Sequence, residues 1–342
     1  MSTPLTRDHV QEDLLRALEQ HSNHNVYACY QCGKCTAACP FSFSPQRVMR
    51  HLQLGQLDRA LAMETTWDCA SCLTCSRVCP KDADPAGVMR DLKSVRFGLL
   101  AEESIDDDDR DTRQGLTDLA AAHHREHGHA LRAFFFANIH TVSRKGSQFA
   151  PVSNWMAQSP GSKLVAHHVL GVHKERSLPA FVRQSFPRWF EHHTPLGDGQ
   201  RGRVFLFHDT FMDYDAPQIG VSATELLELA GYRVVLSDNV CCGRPMISKG
   251  YMGKAAEHAR SNVERLHEQV GDAAYIVGCE PSCLLTVREE YPRMLAGSDL
   301  EGKARAVASR CLLIDEFLVQ DQETADPELT FGAADGTKVL FH

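Results

Sequence analysis

Four cysteines spaced two, two and three residues apart, then a proline, form CYQCGKCTAACP at residues 29–40, and CASCLTCSRVCP at residues 69–80 repeats that spacing position for position. This duplication constrains the fold most, because eight reactive side chains must be gathered by two short loops. The chain holds 13 cysteines in 342 residues, and disulfides, structural zinc and iron–sulfur clusters are the chemistries that fit them. MSTPLTRDHVQEDLLRALEQ at the start has neither the apolar core of a secretory signal nor a twin-arginine pair, and no run of about 18 apolar residues follows anywhere. Val10, Leu14, Leu15 and Leu18 instead share one face of a short amphipathic helix. The expectation is a cytoplasmic chain in a reducing compartment, where disulfides do not persist.

Zinc sites usually join one pair of cysteines to a second pair some 12 to 20 residues away. Here three cysteines recur at every third position, so a short loop can wrap three corners of an iron–sulfur cube. The run resembles that of bacterial two-cluster ferredoxins, whose fourth cysteine serves the other cluster. That resemblance assigns Cys29, Cys32, Cys35 and Cys79 to one [4Fe-4S] cluster and Cys69, Cys72, Cys75 and Cys39 to a second. The repeat continues into SPQRVMRHL and DPAGVMRDL. Ser44 and Asp84 suit helix N-caps, and Pro45 and Pro85 suit the first helical turn. Val48, Met49 and Leu52 match Val88, Met89 and Leu92, each pair at equivalent places in the two repeats. Each half is therefore a loop followed by a helix with an apolar stripe, and the halves are expected to pack with pseudo-twofold symmetry. Gly33 reads as loop permissiveness, since Leu73 holds the matching position, and Trp67 reads as packing.

Length alone predicts more than one folded unit. The net charge of −8 disfavours a nucleic-acid binder. EESIDDDDRD at 102–111 reads as a solvated linker. Residues 131–190 invert the balance, with eight Lys and Arg against Glu175 alone and nine of the chain's 19 Phe and Trp residues. Two readings stay open for this stretch: a helical bridge with its aromatics packed between domains, or a face that docks a partner protein or membrane. HHREHGH at 123–129 lacks the spacing of a zinc helix.

From about residue 200, RVFLFH, YRVVLSD and AAYIVG read as buried strands alternating with helices, which predicts a parallel sheet covered on both faces. A helix opening near Asp215 and Pro217, one over 252–269, one over 281–290 and one begun by CLLIDEFL complete the pattern. Cys311 reads as core within that last helix. Asp209 follows the first strand, Cys241 and Cys242 the second, and Cys279 and Cys283 the third. Ligands meet open α/β sheets at the carboxyl ends of strands, so these five are candidates for a metal or thiol-redox site. GTKVLFH at 336–342 repeats GRVFLFH at 202–208, which reads as the start of a second α/β unit, either truncated or completed by another chain.

The first hundred residues resemble the C subunit of heterodisulfide reductase in CYQCGKCTAACP, SPQRVMRHLQLG and WDCASCLTCSRVCP. Through FHDTF, CCGRP and VGCEPSC, residues 200–342 resemble a cysteine-rich CCG domain. That domain is found in the B subunit of heterodisulfide reductase, in the C subunit of anaerobic glycerol-3-phosphate dehydrogenase and in FAD-linked oxidases. Asp209 stands where the motif's first cysteine would be, CEPSC is one residue longer than the motif's spacing, and a second CCG copy is absent. The resemblance implies an α+β multidomain chain: a two-[4Fe-4S] ferredoxin-type domain (1–98), an acidic linker and helical bridge (99–199), and an incomplete CCG domain (200–342). It further implies an electron-transfer subunit of an oxidoreductase, serving a flavoprotein (FAD) partner and an acceptor, with a third cluster at the CCG domain a further option. A peripheral membrane or quinone-linked partner is also implied. The alternative is a thiol–disulfide or quinone reductase acting at the CCG edge.

Overall fold

The computed structural model describes residues 25–63, 65–66, 69, 72–96, 131–173, 175–176, 178–249, 251–271 and 274–324. The N-terminal helix, Trp67, the acidic run, HHREHGH and GTKVLFH lie outside those residues.

The first unit is a pair of loop–helix halves. Helices α1 (Lys34–Ala37), α2 (Pro45–Gln53) and α3 (Leu57–Ala62) belong to the first half, α4 (Thr74–Arg77) and α5 (Pro85–Arg96) to the second. Val48, Met49 and Leu52 from α2 and Val88, Met89 and Leu92 from α5 are all buried in one core with Leu57, Ala60 and Leu61. The capping differs between halves. Asp84 Oδ1 accepts the Gly87 N–H at 3.1 Å, whereas Ser44 makes no side-chain cap. The shared device lies in the preceding short helix. Thr36 Oγ1 accepts the Gln46 N–H at 3.3 Å, and at the matching place in the second half Ser76 Oγ accepts the Ala86 N–H at 3.0 Å. A hydroxyl from each cysteine loop thus satisfies an orphan amide of the helix that follows.

Four helices make up the segment expected as the bridge: α6 (Leu131–Ala137), α7 (Ile139–Gln148), α8 (Ala150–Gln158) and α9 (Pro160–Leu170). Ser159 caps α9 by accepting the Ser162 N–H, and Gly171, at φ 63°, ends it. The segment after it straps the bridge to the sheet. Asn154 exchanges 2.8 Å hydrogen bonds with both backbone groups of Phe181. Phe181 lies so close to Gly146, and Phe186 to Gly220, that an added Cβ would fall 2.5 and 2.6 Å from the rings. Phe186, opening α10 (Phe186–Phe190), is fully buried. The strap aromatics pack inward, while Phe134 and Trp155 of the helices and Phe149 between α7 and α8 stay exposed, Trp155 by 74%.

The third unit is an open sheet of four parallel strands in the order β2-β1-β3-β4, where β1 is Arg203–Phe207, β2 Arg233–Leu236, β3 Tyr275–Gly278 and β4 Cys311–Leu313. Their registers pair Phe205 with Val235 and Ile276, and Ile276 with Cys311. Helices α11 (Thr210–Tyr214) and α12 (Pro217–Leu229) cross from β1 to β2, and α13 (Arg244–Ser248) and α14 (Met252–Val270) from β2 to β3. After β3 come α15 (Pro281–Leu285), one π turn (Thr286–Glu290), α16 (Tyr291–Met294) and α17 (Glu301–Ala308), before β4 and α18 (Ile314–Thr324).

Two local expectations change. Cys311 is buried as predicted but on a strand, because residues 311–313 pair with β3 and the helix starts only at Ile314. Asp215 ends α11, and Ala216 takes the cap of α12. The π turn has a cause in Pro292, which lacks the N–H that would bond back one turn. Arg90 on α5 meets both oxygens of Glu290 at 2.9 and 3.0 Å, joining the first unit to the third.

Candidate metal centres

Two hollows open in the first unit. One is lined by Cys29, Cys32, Cys35 and Cys79, the other by Cys69, Cys72, Cys75 and Cys39. Each gathers three thiols of one loop and the last thiol of the other. Both hollows are open to solvent and lined by four thiols each, so the duplicated loops make twin sites. The turn that opens each loop needs left-handed backbone. Gly33 has φ 79°, and Leu73, its counterpart, is held at φ 61° despite its side chain, a conformation that costs a non-glycine residue about 1–2 kcal/mol. Cys35 and Cys75 point inward and are buried, whereas Cys32 and Cys72 lie at the surface. Burial pushes the Cys35 thiol up and carries Cys75 to about 12. Both are therefore protonated near neutrality, and taking up a metal cluster would release those protons.

At the sheet, the order of strands places the candidate site. β1 connects outward to β2, while β3 lies on the other side of β1. The connections thus diverge between β1 and β3, the place where open α/β sheets form a crevice. Asp209 leaves β1 and Cys279 leaves β3 at this point, and the loop after β2 adds Cys241 and Cys242. Cys242 Sγ stands 3.1 Å from Cys283 Sγ, both buried. Burial, with the Asp209 charge adding to it, raises Cys279 to about 11. Cys241 is raised further by its hydrogen bond to Cys242 and by burial. Asp209 has other duties, for its Oδ1 accepts the N–H groups of Phe211 and Met212 at 2.8 and 3.2 Å as the N-cap of α11. Burial raises its carboxyl above the usual range even so. Among the described residues, no three His, Cys, Asp or Glu side chains gather tightly enough around one point to hold a single metal ion.

The vicinal cysteines are fixed from below by residues that sequence reasoning missed. Gly243, at φ 79°, turns the chain from Cys242 into α13, and Pro245 sits in its first turn. Asn262 Oδ1 accepts the Val240 N–H at 2.8 Å, and its amide donates to Tyr291 Oη at 2.8 Å. Tyr291 donates in turn to the Cys242 carbonyl at 2.9 Å, and His258 Nδ1 lies 2.9 Å from the Cys241 carbonyl. From the bridge, His140 Nδ1 lies 2.9 Å from Thr210 Oγ1, which is hydrogen-bonded to Cys241. Nothing in their sequence neighbourhoods marks these residues. They come from α7, α11, α14 and α16, and only packing brings them together. His208 lies beside the site with Nδ1 2.9 Å from Asp213 and Nε2 3.2 Å from the Ser237 carbonyl. Burial opposes its charge, yet the bond and charge of Asp213 leave its pKa raised.

Residues 28–83, which hold both hollows, match the 4Fe-4S dicluster domain, and residues 205–288 match the cysteine-rich domain. The chain joins a 4Fe-4S dicluster domain to a cysteine-rich domain. It is 29% identical over 168 residues to the C subunit of anaerobic glycerol-3-phosphate dehydrogenase of Escherichia coli (strain K12), covering 48% of this chain and 42% of that protein. It is 30% identical over 141 residues to lactate utilization protein A of Exiguobacterium, covering 41% and 55%. The corresponding protein of Geobacillus is 33% identical over 119 residues, covering 34% and 48%. The matches thus span about half the length of these relatives. No solved structure matches. The two domain matches make the chain an iron–sulfur protein of the electron-transfer kind.

Proposed function

We propose that the chain is an electron-relay subunit of an oxidoreductase complex, in which a flavoprotein and an acceptor exchange electrons through two [4Fe-4S] clusters. The observation that carries this reading is the pair of hollows, each taking three thiols from one loop and one from the other. Cys29, Cys32, Cys35 and Cys79 would hold one cluster, and Cys69, Cys72, Cys75 and Cys39 the second. Such clusters, when bound, supply one-electron redox chemistry at potentials tuned by hydrogen bonds, charge and solvent. The rest is supplied by the chain itself. The α2 and α5 stripes exclude water behind the hollows, Thr36 and Ser76 fix the loops to the helices, and Arg90–Glu290 ties the first unit to the cysteine-rich domain.

The flavoprotein partner follows from the resemblance to the C subunit of glycerol-3-phosphate dehydrogenase and to FAD-linked oxidases. A cytoplasmic chain held at a membrane through its partner suits this role, and among the described residues no helix is long and apolar enough to cross a membrane. Anaerobic purification with iron and sulfide counting tests the relay. About eight irons per chain, with coupled EPR spectra on reduction, is the expected result. About twelve would add a cluster at the cysteine-rich domain, and an iron-free chain overturns the reading.

A second reading rests on the 3.1 Å approach of Cys242 and Cys283. A thiol–disulfide or quinone reductase would close these sulfurs into a disulfide, giving two electrons and two protons to the substrate. Turnover of a small disulfide or quinone with an artificial donor, abolished by Cys242→Ser, would favour it over the relay.

A further inference from the structure

The two hollows share a cysteine spacing but not a lining. Tyr30, Gln46 and Lys81 face the hollow of Cys29, Cys32, Cys35 and Cys79. When the two repeats are superposed position for position, Phe41 stands at the Lys81 place and Ala86 at the Gln46 place, and both line the second hollow. Leu73 replaces Gly33 in the same way, and Phe43 and Met89 close the apolar wall. Phe41 and Phe43 lie stacked with ring centroids 6.0 Å apart, and both line the second hollow. Sulfurs of both hollows have polar neighbours: in the second, Thr74 Oγ1 lies 3.4 Å from Cys72 Sγ, and in the first a side-chain amide and a backbone amide approach the sulfurs. Gln31 Nε2 lies 3.4 Å from Cys29 Sγ, and the Ala83 N–H lies 3.4 Å from Cys79 Sγ. Gln31 is itself held by Gln53 Oε1 at 3.1 Å, and its carbonyl accepts from Gln46 Nε2 at 2.9 Å.

Reducing a cluster adds one negative charge to it. Donors to sulfur, a nearby ammonium and polar side chains stabilise that charge, whereas an apolar, drier wall disfavours it. We infer that the site of Cys29, Cys32, Cys35 and Cys79 is the higher-potential half of the relay and that of Cys69, Cys72, Cys75 and Cys39 the lower, so that Lys81 and Phe41 set the direction of internal transfer. This inference rests on the relay reading above. With clusters held by both cysteine sets, the step would be the transfer of a single electron from the apolar site to the polar site, with no proton and no bond exchanged.

An anaerobic EPR redox titration of the full chain, with iron and sulfide counted in each sample, tests it. The wild type is expected to titrate in two separate steps. Lys81→Phe should lower the higher step alone, and Phe41→Lys should raise the lower step alone. Each is expected to change the electron's distribution between the sites by up to about tenfold, which is about 59 mV for one electron. The double exchange should bring the steps together. Both side chains are at the surface, so the variants should keep both clusters, and Gln31→Leu offers an independent lowering of the higher step. Eight irons with coincident wild-type steps, or a Lys81→Phe effect on the lower step, overturns the inference and leaves the relay standing. A chain without iron overturns both.

Discussion

Single residues here work against their own preferences where the site requires it. Asp215 is partly buried at the end of α11, and burial, followed by the Asp209 charge, raises its carboxyl from 3.8 to about 6. Its folded pKa lies above its unfolded one, so it costs stability at neutral pH, and the cost disappears as pH falls from 6 towards 4. Two pKa units correspond to about 3 kcal/mol, which solvent screening of a half-exposed group reduces to about 1. Asp215→Asn is therefore expected to raise the urea midpoint at pH 7.5 and to do so progressively less below pH 6. Thr36 and Ser76 act in the opposite sense, stabilising by capping. Thr36→Val and Ser76→Ala should each cost about 1 kcal/mol, read as a loss of thermal stability, with Ser76→Ala the larger because Ser76 Oγ also bonds Asp84.

Elements in this chain are joined by glycine–aromatic contacts. Gly220 in α12 lets the Phe186 ring lie against the helix backbone. Alanine there gains about 1 kcal/mol of helix propensity but drives a methyl into a fully buried ring, at about 1–3 kcal/mol of overpacking. The packing effect wins, and Gly220→Ala should lower the denaturant midpoint without changing the slope. The network under the vicinal cysteines is a second element-scale device. Asn262→Leu leaves the Val240 amide without its acceptor in the core and takes from the Tyr291 hydroxyl the donor it accepts, while that hydroxyl keeps its bond to the Cys242 carbonyl. That should cost about 1–3 kcal/mol for the amide left unpaired and increase alkylation of Cys241 and Cys242 by iodoacetamide.

At the scale of the whole molecule, the first and third units have separate cores. Residues 26–92 bury little more than two helical stripes and the cysteine loops, so the clusters are expected to contribute much of that unit's stability. Stripping iron with a chelator after oxidation should abolish amide-exchange protection in α2 and α5 while leaving β1, β3 and α14 protected. Loss of protection throughout would mean that Arg90–Glu290 and the contacts around it couple the units into one cooperative fold.

Much of this was written in the sequence. The duplicated spacing, the paired helix stripes and the alternation of strands and helices are local patterns, because a loop's reach and a helix's apolar face depend on near neighbours in the chain. Cys311 shows where that stops, for its helical-looking surroundings yield to pairing with β3. Ser44 shows it again, since its expected capping role passes to the Thr36 hydroxyl in the preceding loop. Only the tertiary structure decided that Lys81 and Gln46 line one hollow and Phe41 and Phe43 the other. It alone brought Cys242 to Cys283, and Asn262 and Tyr291 beneath them. Those placements depend on strand order and on helices packing across distant parts of the chain, and no short-range preference encodes them.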